Sequence, residues 1–240
     1  ISALLARIAI KPVETAWRQQ RQFVADASHE LKTPLTVIMT SAELLQSPDY
    51  DEQSRSGFAE NILVMSKQMR GLTERLLELA RADNGTNLPA FEKFDFSSTV
   101  KNAVLPFEAV FFEKGIELSS EIDNNIFVNG DREHLRQVLE IFLDNAQKYA
   151  FAPGSAVVKL ERCGKSRCRL SVANTGEPIA PEDLKNIFKR FYRTDKARSR
   201  DGSFGLGLSI AESVVLRHRG KIWAESKNGM NTFFAELPVA

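Results

Sequence analysis

The sequence predicts an α+β protein in which an antiparallel helical hairpin is followed by an α/β sandwich. Apolar residues recur at alternating spacings of three and four in the first third of the chain, which is typical of packed helices. Farther along, helix and strand patterns alternate, which indicates helices packed on one face of a mixed sheet. A stretch rich in turn formers separates the two patterns. We therefore expect a helical domain at 1–83, a linker at 84–90 and a second domain at 91–240.

Composition excludes several classes of protein. The net charge of the 240 residues is +1, which gives no electrostatic reason to expect nucleic-acid binding. Cys163 and Cys168 are too few for a disulfide framework or a zinc site, so we expect two free thiols on adjacent strands. No apolar run approaches the roughly eighteen residues that span a bilayer. Because the first residue is isoleucine, we expect a fragment or a processed product, in which residues 1–10 either begin the first helix or end a membrane helix.

The helical hairpin is predicted from two apolar stripes. The first helix is expected from near Val13 to about Gln46 and the second from about Asp51 to Arg81. The stripes consist of Val24, Ser28, Leu31, Leu35, Ile38, Ala42 and Leu45 in the first helix and of Phe58, Ile62, Met65, Met69, Leu72, Leu76 and Leu79 in the second. Two helices alone bury too little core, so we expect a homodimer with a four-helix bundle. The alternative is that the stripes pack against the rest of the same chain.

One histidine in the first helix is placed for chemistry rather than for packing. His29 lies in the segment FVADASHELKTPL and points about 130° away from the centre of the apolar stripe at 3.6 residues per turn. It therefore faces outward, whereas a histidine of the core would lie on the stripe. Pro34 removes an amide donor from the helix, so we expect a bend just after His29.

The second domain is predicted as an alternation of helices and strands. Helices are expected at about 97–114, 132–149 and 207–217, and strands at about 116–122, 126–128, 156–162, 167–173, 221–225 and 232–237. A loop-rich stretch is expected between the strand that ends at 173 and residue 203.

The end of the helix at 132–149 carries side chains suited to a nucleotide. The amide oxygen of Asn145 is a ligand type that Mg²⁺ accepts, and Lys148 provides a point charge for phosphate. The ring of Tyr149 can cover a purine. A polar helix end without a ligand explains these residues about as well.

Two glycine-containing segments add to this indication. Asn174-Thr175-Gly176 follows a strand directly, which is a common way to present a hydrogen-bond partner to a base, although an ordinary turn explains it too. The stretch DGSFGLGLS at 201–209 places three glycines before an amphipathic helix, where the backbone can approach phosphates and free amides face them. The preceding segment 192–200 is basic and suits a mobile lid or a solvated loop.

These segments, in this order, resemble the bacterial sensor histidine kinases over nearly the whole chain. FVADASHELKTPL looks like their phospho-acceptor box and DREHLRQVLEIFLDNAQKYA like their N box. VANTGEPI, IFKRFYR and GSFGLGLSIA look like the first glycine box, the F box and the second glycine box. The resemblance implies the GHKL, or Bergerat, ATP-binding sandwich for the second domain.

The resemblance also implies roles for individual residues. His29 would accept a phosphoryl group from ATP, Glu30 would take the proton of its imidazole, and Thr33 would orient the water that removes phosphate from a response regulator. Asn145 would bind Mg²⁺. Contacts with the nucleotide are implied for Asn145, Lys148, Tyr149, Asn174, Gly176, Ile179, Phe188, Arg190, Gly202, Gly205, Leu206, Gly207 and Leu208.

Four positions depart from the family pattern. Ile141 stands where an asparagine is frequent, Asn174 replaces the acid that binds adenine, and Pro178 replaces a glycine; His134 stands where arginine is usual. We expect weaker ATP binding than with aspartate at position 174, because an amide accepts a hydrogen bond without charge assistance. The alternative function is a degenerate, nucleotide-binding dimeric scaffold. His134 is expected at the surface, and His218 is expected to be structural.

Partners and location follow from the resemblance. The implied partners are a second copy of the chain and a cognate response regulator, which would dock on the helical bundle around His29. The implied location is the cytoplasm, as the soluble portion of a sensor protein anchored in the inner membrane upstream of residue 1.

Overall fold

The computed structural model describes residues 2–84, 91–194 and 203–240. These residues form two compact units, 1–80 and 81–240. Each unit is built from local sequence signals.

The first unit is a pair of long helices, α1 (Ser2–Gln46) and α2 (Glu52–Asn84). Asp51 caps α2, since its carboxylate accepts a hydrogen bond from the Ser54 amide at 2.9 Å. Helix α1 begins well before the predicted start near Val13, because the strong helix formers of residues 2–10 continue the same helix. Helix α2 passes the predicted end at Arg81, since no glycine or proline follows Arg81 until Gly85.

The predicted stripes are partly covered within one chain. Leu72 and Leu79 of α2 are buried, whereas Val24 and Leu35 of α1 are about half exposed, at 54% and 46%. Helix α1 is continuous through Pro34, and the expected bend there stays a prediction. In the part of the chain that the structure describes, no helix is both long enough and apolar enough to cross a membrane.

The second unit is a mixed sheet with helices on one face. Its elements are β1 (Glu92–Asp95), α3 (Phe96–Glu113), β2 (Ile116–Ile122), β3 (Phe127–Gly130), α4 (Arg132–Tyr149), β4 (Gly154–Cys163), β5 (Arg167–Thr175), α5 (Pro181–Leu184), α6 (Gly207–Arg217), β6 (Lys221–Lys227) and β7 (Met230–Pro238). The five-stranded sheet has the order β2-β4-β5-β7-β6; β2 pairs with β4 in parallel, and the other pairs are antiparallel. The predicted fold class is confirmed.

The core lies between this sheet and the helices. Strands β5 and β7 alternate between buried and partly exposed residues, as expected for a sheet with one covered face. The covered side of α4 is apolar and packs against α3, α6 and β5. The buried residues include Leu135, Val138, Leu139, Phe142 and Leu143 of α4, Leu170 and Val172 of β5, and Phe233, Ala235 and Leu237 of β7.

The two cysteines are free, as predicted, on the adjacent strands β4 and β5. Cys163 lies opposite Arg167 and Cys168 opposite Arg162, so the two thiols point to different faces of the hairpin. Burial raises the pKa of Cys168 to about 12, which keeps this thiol protonated and unreactive at neutral pH.

Candidate functional site

The segment around His29 presents its polar side chains on one flank of α1. His29 and Thr33 are exposed one helical turn apart, as the position of His29 off the apolar stripe predicts. Glu30 is half-buried, and Pro34 is buried on the other side of the helix. The hydroxyl of Ser28 donates to the Val24 carbonyl at 2.7 Å, so it is engaged with its own helix. The imidazole is thus an accessible nucleophile in this segment.

In the second unit, the last turns of α4 carry a connected polar group. Lys148 Nζ lies 2.6 Å from one carboxylate oxygen of Asp144, and the Gln147 amide donates to the other at 2.8 Å. The side chains of Lys148 and Asp144 are 25% and 35% exposed, so this ion pair is accessible to solvent and weak. Lys148 can therefore exchange Asp144 for a phosphate at little cost. Asn145, half-buried, lies beside them on the same helix.

The end of α4 is joined to the end of β5. Ala150 forms an isolated bridge with Gly176, and the Phe151 amide donates to the Thr175 carbonyl at 3.1 Å. A Cβ on Gly176 would lie 2.8 Å from the Tyr149 carbonyl oxygen. Glycine is required there because the two backbones approach closely. The bridge places Tyr149 next to Asn174 and Gly176, which sequence analysis assigned to the same ligand.

Two asparagines face each other at this end of the sheet. Asn174 of β5 is opposite Asn231 of β7, and both are buried. The Asn174 amide nitrogen donates to the Thr175 carbonyl at 3.0 Å, and that of Asn231 donates to the Glu177 carbonyl at 2.8 Å. Both side-chain nitrogens are engaged, so it is the amide oxygens that can accept hydrogen bonds from a ligand.

The oxygen of Asn231 fits a ligand with an N–H donor. Among the described residues, Asn231 Oδ1 is buried without a hydrogen-bond partner. Leaving such an acceptor unpaired costs about 1–3 kcal/mol, which a donor such as the amino group of adenine would recover. Asn231 is not among the residues predicted from the sequence. Its signal was a polar residue at an inward position of β7, in line with Phe233 and Ala235.

The glycine-containing turn before α6 lies against α4. Gly205 has φ +67°, and a Cβ there would lie 2.7 Å from the Tyr192 carbonyl oxygen. Gly207 begins α6, and a Cβ there would lie 3.4 Å from Ile141, one turn before Asn145 on α4. The turn and the polar end of α4 are thus neighbours.

The start of α6 is suited to an anion. Among the described residues, no side chain caps this helix, and amides at the start of a helix can bind a phosphate. Leu206 is fully buried and anchors the turn, while Leu208 is partly exposed. Gly202 and residues 195–200 of the expected lid lie outside the described residues.

The remaining predicted contacts lie in the stretch of chain between β5 and α6. The Ile179 amide donates to the Ser226 hydroxyl at 2.9 Å, which attaches the first glycine box to β6. Arg190 lies near Glu212 of α6: burial raises the pKa of this carboxyl, and the Arg190 charge partly offsets the rise. Phe188 is half-buried.

The residues present fit a magnesium–nucleotide better than a metal alone. Among the described residues, no three His, Cys, Asp or Glu side chains cluster as a metal site. Asn145 would thus bind Mg²⁺ together with phosphate oxygens and water, which is the usual way that Mg²⁺ binds with phosphates.

Sequence models of two protein families match the chain. The His Kinase A (phospho-acceptor) domain matches residues 19–85. The histidine kinase-, DNA gyrase B- and HSP90-like ATPase matches residues 130–240. The two matches fall on the two units described above and include His29 in the first and all the predicted nucleotide contacts in the second.

Individual relatives are similar over nearly all of this chain. Sensor protein DltS of Streptococcus agalactiae is 31% identical over 241 residues, which cover 100% of this chain and 59% of DltS. Sensor-like histidine kinase SenX3 of Mycobacterium tuberculosis is 34% identical over 223 residues, which cover 92% of this chain and 54% of SenX3. The chain therefore spans little more than half the length of these relatives.

A solved structure extends the similarity to the fold. Histidine kinase ThkA, in its complex with the response regulator protein TrrA, matches with a TM-score of 0.77 at 23% identity, covering 100% of this chain and 68% of ThkA. The two family matches and the similarity to DltS and SenX3 show that the chain belongs to the bacterial two-component sensor histidine kinases and carries their phospho-acceptor and ATPase domains.

Proposed function

We propose that this chain is the catalytic core of a sensor histidine kinase that uses ATP to phosphorylate His29. Residues 1–83 would form the dimerisation and phosphotransfer domain, residues 84–90 the linker, and residues 91–240 the catalytic domain. The observation that carries the proposal is an exposed imidazole in the phospho-acceptor segment of a chain whose second unit joins glycine, amide and lysine groups around one helix end. DltS and SenX3 are named as sensor proteins, and nothing favours the alternative of a scaffold without kinase activity.

The chain's own residues would divide the reaction between them. Glu30 accepts the proton from one imidazole nitrogen of His29, and the other nitrogen forms a bond to the γ-phosphorus of ATP. The bond from that phosphorus to the bridging oxygen breaks, and ADP leaves. Lys148 and the first amides of α6 would hold the phosphates, while Asn174 and Asn231 would accept hydrogen bonds from the base. Mg²⁺, held by Asn145, would neutralise phosphate charge.

The phosphoryl group would then pass to an aspartate of a response regulator. ThkA is described in complex with such a regulator, TrrA, and its fold is shared by this chain. We propose the same class of partner here, docking near His29, with Thr33 orienting the water in the reverse, phosphatase reaction. The core would act as a homodimer within a longer sensor protein that is anchored in the inner membrane, with this portion in the cytoplasm.

Incubation with radiolabelled ATP and Mg²⁺ tests the proposal. The parent should acquire an acid-labile, base-stable phosphate, as expected of a phosphoramidate, and His29→Gln should acquire none. Equal labelling of the two proteins would contradict the proposal. A parent that binds ATP but never labels would favour the scaffold instead.

A further inference from the structure

The imidazole of His218 joins two helices of the second unit. His218 follows α6 directly and is 3% exposed. Its Nδ1 donates to the Val214 carbonyl of α6 at 2.7 Å, and its Nε2 accepts from the Asp131 amide, which precedes α4, at 2.9 Å. A carbonyl can only accept and an amide N–H can only donate, so the ring is neutral with its proton on Nδ1.

The ring is tightly enclosed. A Cβ on Gly130 would lie 2.4 Å from Cδ2 and 2.6 Å from Nε2 of His218, so only glycine fits there. On another side, the Phe91 ring stacks on the imidazole with 4.5 Å between centroids and 11° between planes. His218 therefore has a single available position, and its hydrogen bond to Asp131 is fixed in geometry.

This hydrogen bond adds a directional contact to the apolar packing of α6 on α4, in which Ile210, Ala211 and Val215 are buried. At the other end of α6, a Cβ on Gly207 would lie 3.4 Å from Ile141, so the two helices also approach closely there. Residues 131 and 141 are about 15 Å apart along α4, and residues 207 and 218 about 16 Å apart along α6, at 1.5 Å per residue. The spans match, so the hydrogen bond and the close approach lie at opposite ends of an antiparallel helix pair.

We propose that His218 is a positioning residue for nucleotide binding. By holding the end of α6 to the start of α4, it would keep the glycine-containing turn and Asn145 on opposite sides of one nucleotide. The inference rests on the proposed function, because it assumes that ATP binds between these groups. His218 lies at the far ends of both helices from that turn, so it acts through the helices and not by contact.

The expected change in apparent ATP affinity follows from the fraction of molecules that can bind ATP. If the bond to Asp131 is lost, the chain spends part of its time with α6 displaced, and the apparent affinity for ATP falls by the fraction that remains competent. One intramolecular hydrogen bond corresponds to a roughly three- to tenfold change in such an equilibrium. The maximal rate at saturating ATP should change little, because bound nucleotide restores the competent register.

Two substitutions separate the bonds of His218. His218→Asn can keep a donor to Val214 but does not reach Asp131, whereas His218→Gln can place an acceptor near the Asp131 amide. We expect His218→Asn to raise KM for ATP about three- to tenfold by loss of that one bond, and His218→Gln to stay near the parent. Gly130→Ala is a second variant, since its methyl group displaces the ring without removing it.

The pH dependence supplies a readout that a merely structural role would not move. Burial lowers the pKa of His218 below its ordinary value of 6.5; Arg217 and His134 act in the same direction, while the Val214 carbonyl and Asp131 oppose it. The hydrogen bond from the Asp131 amide to His218 Nε2 is thus intact above pH 6.5. It is lost as pH falls through the lowered pKa, because a protonated Nε2 can no longer accept a hydrogen bond. The KM for ATP of the parent divided by that of His218→Gln should rise as pH falls, because only the parent has a titratable side chain at position 218. The titration of ATP itself affects both proteins equally and cancels in this ratio.

Several outcomes would overturn the inference. A parent-like KM in both His218→Asn and Gly130→Ala, with only a lower melting temperature, would show a purely structural role. A His218→Gln variant as impaired as His218→Asn would show that the bond to Asp131 does not matter. Hydrogen exchange of the Asp131 amide tests its hydrogen bond to His218 in the absence of nucleotide. Faster exchange in His218→Asn than in His218→Gln supports it, and equal exchange overturns it, even if the parent binds no ATP and the proposed function itself fails.

Discussion

At position 174, an amide and a carboxylate would have opposite effects on ligand affinity and on the stability of the ligand-free protein. Its amide nitrogen donates to the Thr175 carbonyl, which leaves its oxygen for a ligand. An aspartate there would offer a stronger, charge-assisted acceptor but would bring a carboxylate oxygen against that carbonyl. The amide therefore favours the stability of the empty site over affinity for the base.

Asn174→Asp should separate these two effects. We expect ATP to bind about three- to tenfold more tightly, through a charge-assisted hydrogen bond to the adenine amino group. The ligand-free protein should lose about 1–3 kcal/mol of stability, because a buried carboxylate replaces a satisfied donor. Titration calorimetry with ATP and thermal unfolding without it measure the two quantities. Weaker ATP binding by the variant would show that the base is not recognised at position 174.

Thr33 offers a second test at this scale. It is exposed one turn from His29 and has no packing role in α1 that its removal would disturb. Thr33→Ala should leave labelling of His29 unchanged and slow dephosphorylation of the phosphorylated regulator by roughly tenfold or more, since a water would lose its orientation. Equal loss of both activities would instead indicate a structural role.

The elements that position the site differ in how far the sequence predicts them. The predicted bounds of α4 and α6 coincide with the observed ones, because each helix has its own signals: Asp131 caps α4, and Gly207 opens α6. Strand β1 was missed because four residues become a strand only by pairing with β3. The short helix α5 was missed in the loop-rich stretch because one turn has no periodicity.

The same contrast holds for the site. Residues within local motifs, such as Asn145 and Gly207, are recognisable from their neighbours in sequence. Asn231 and His218 are not, because their surroundings come from distant parts of the chain: Asn231 faces Asn174 only through the register of β5 and β7. His218 reaches Asp131 only once α6 packs on α4.

The turn before α6 can be tested with two glycines that share a backbone conformation. Gly205 and Gly164 have φ +67° and +69°, but only at Gly205 would a Cβ meet another residue, the Tyr192 carbonyl at 2.7 Å. Each substitution by alanine should cost about 1–2 kcal/mol of stability from the left-handed conformation. Gly205→Ala should in addition weaken ATP binding, because the turn must shift away from Tyr192. Equal ATP affinity in the two variants would contradict a role for the turn.

At the scale of the whole molecule, the helical unit leaves apolar surface uncovered. Val24 and Leu35 lie on the predicted apolar stripe of α1 and are 54% and 46% exposed in a single chain. A second copy of the chain, pairing into a four-helix bundle, would cover them.

Replacing Val24 and Leu35 by glutamate should therefore convert a dimer to a monomer. Glutamate keeps the helix propensity while placing charge in the proposed interface. Leu105→Glu, on α3 of the other unit and 59% exposed in the parent, is the matched control and should remain dimeric. Sedimentation velocity distinguishes the species. A Val24→Glu/Leu35→Glu protein that stays dimeric would contradict the bundle, as would a parent that is monomeric.

The central claim is that ATP bound by the second unit phosphorylates His29. Mass spectrometry of peptides prepared at alkaline pH, after incubation of the parent with Mg²⁺ and ATP, locates the phosphoryl group directly. The account predicts a single phosphate on His29 and none on the neighbouring hydroxyls of Ser28 and Thr33. A phosphate on either hydroxyl, or on a residue outside this segment with His29 unmodified, would contradict it.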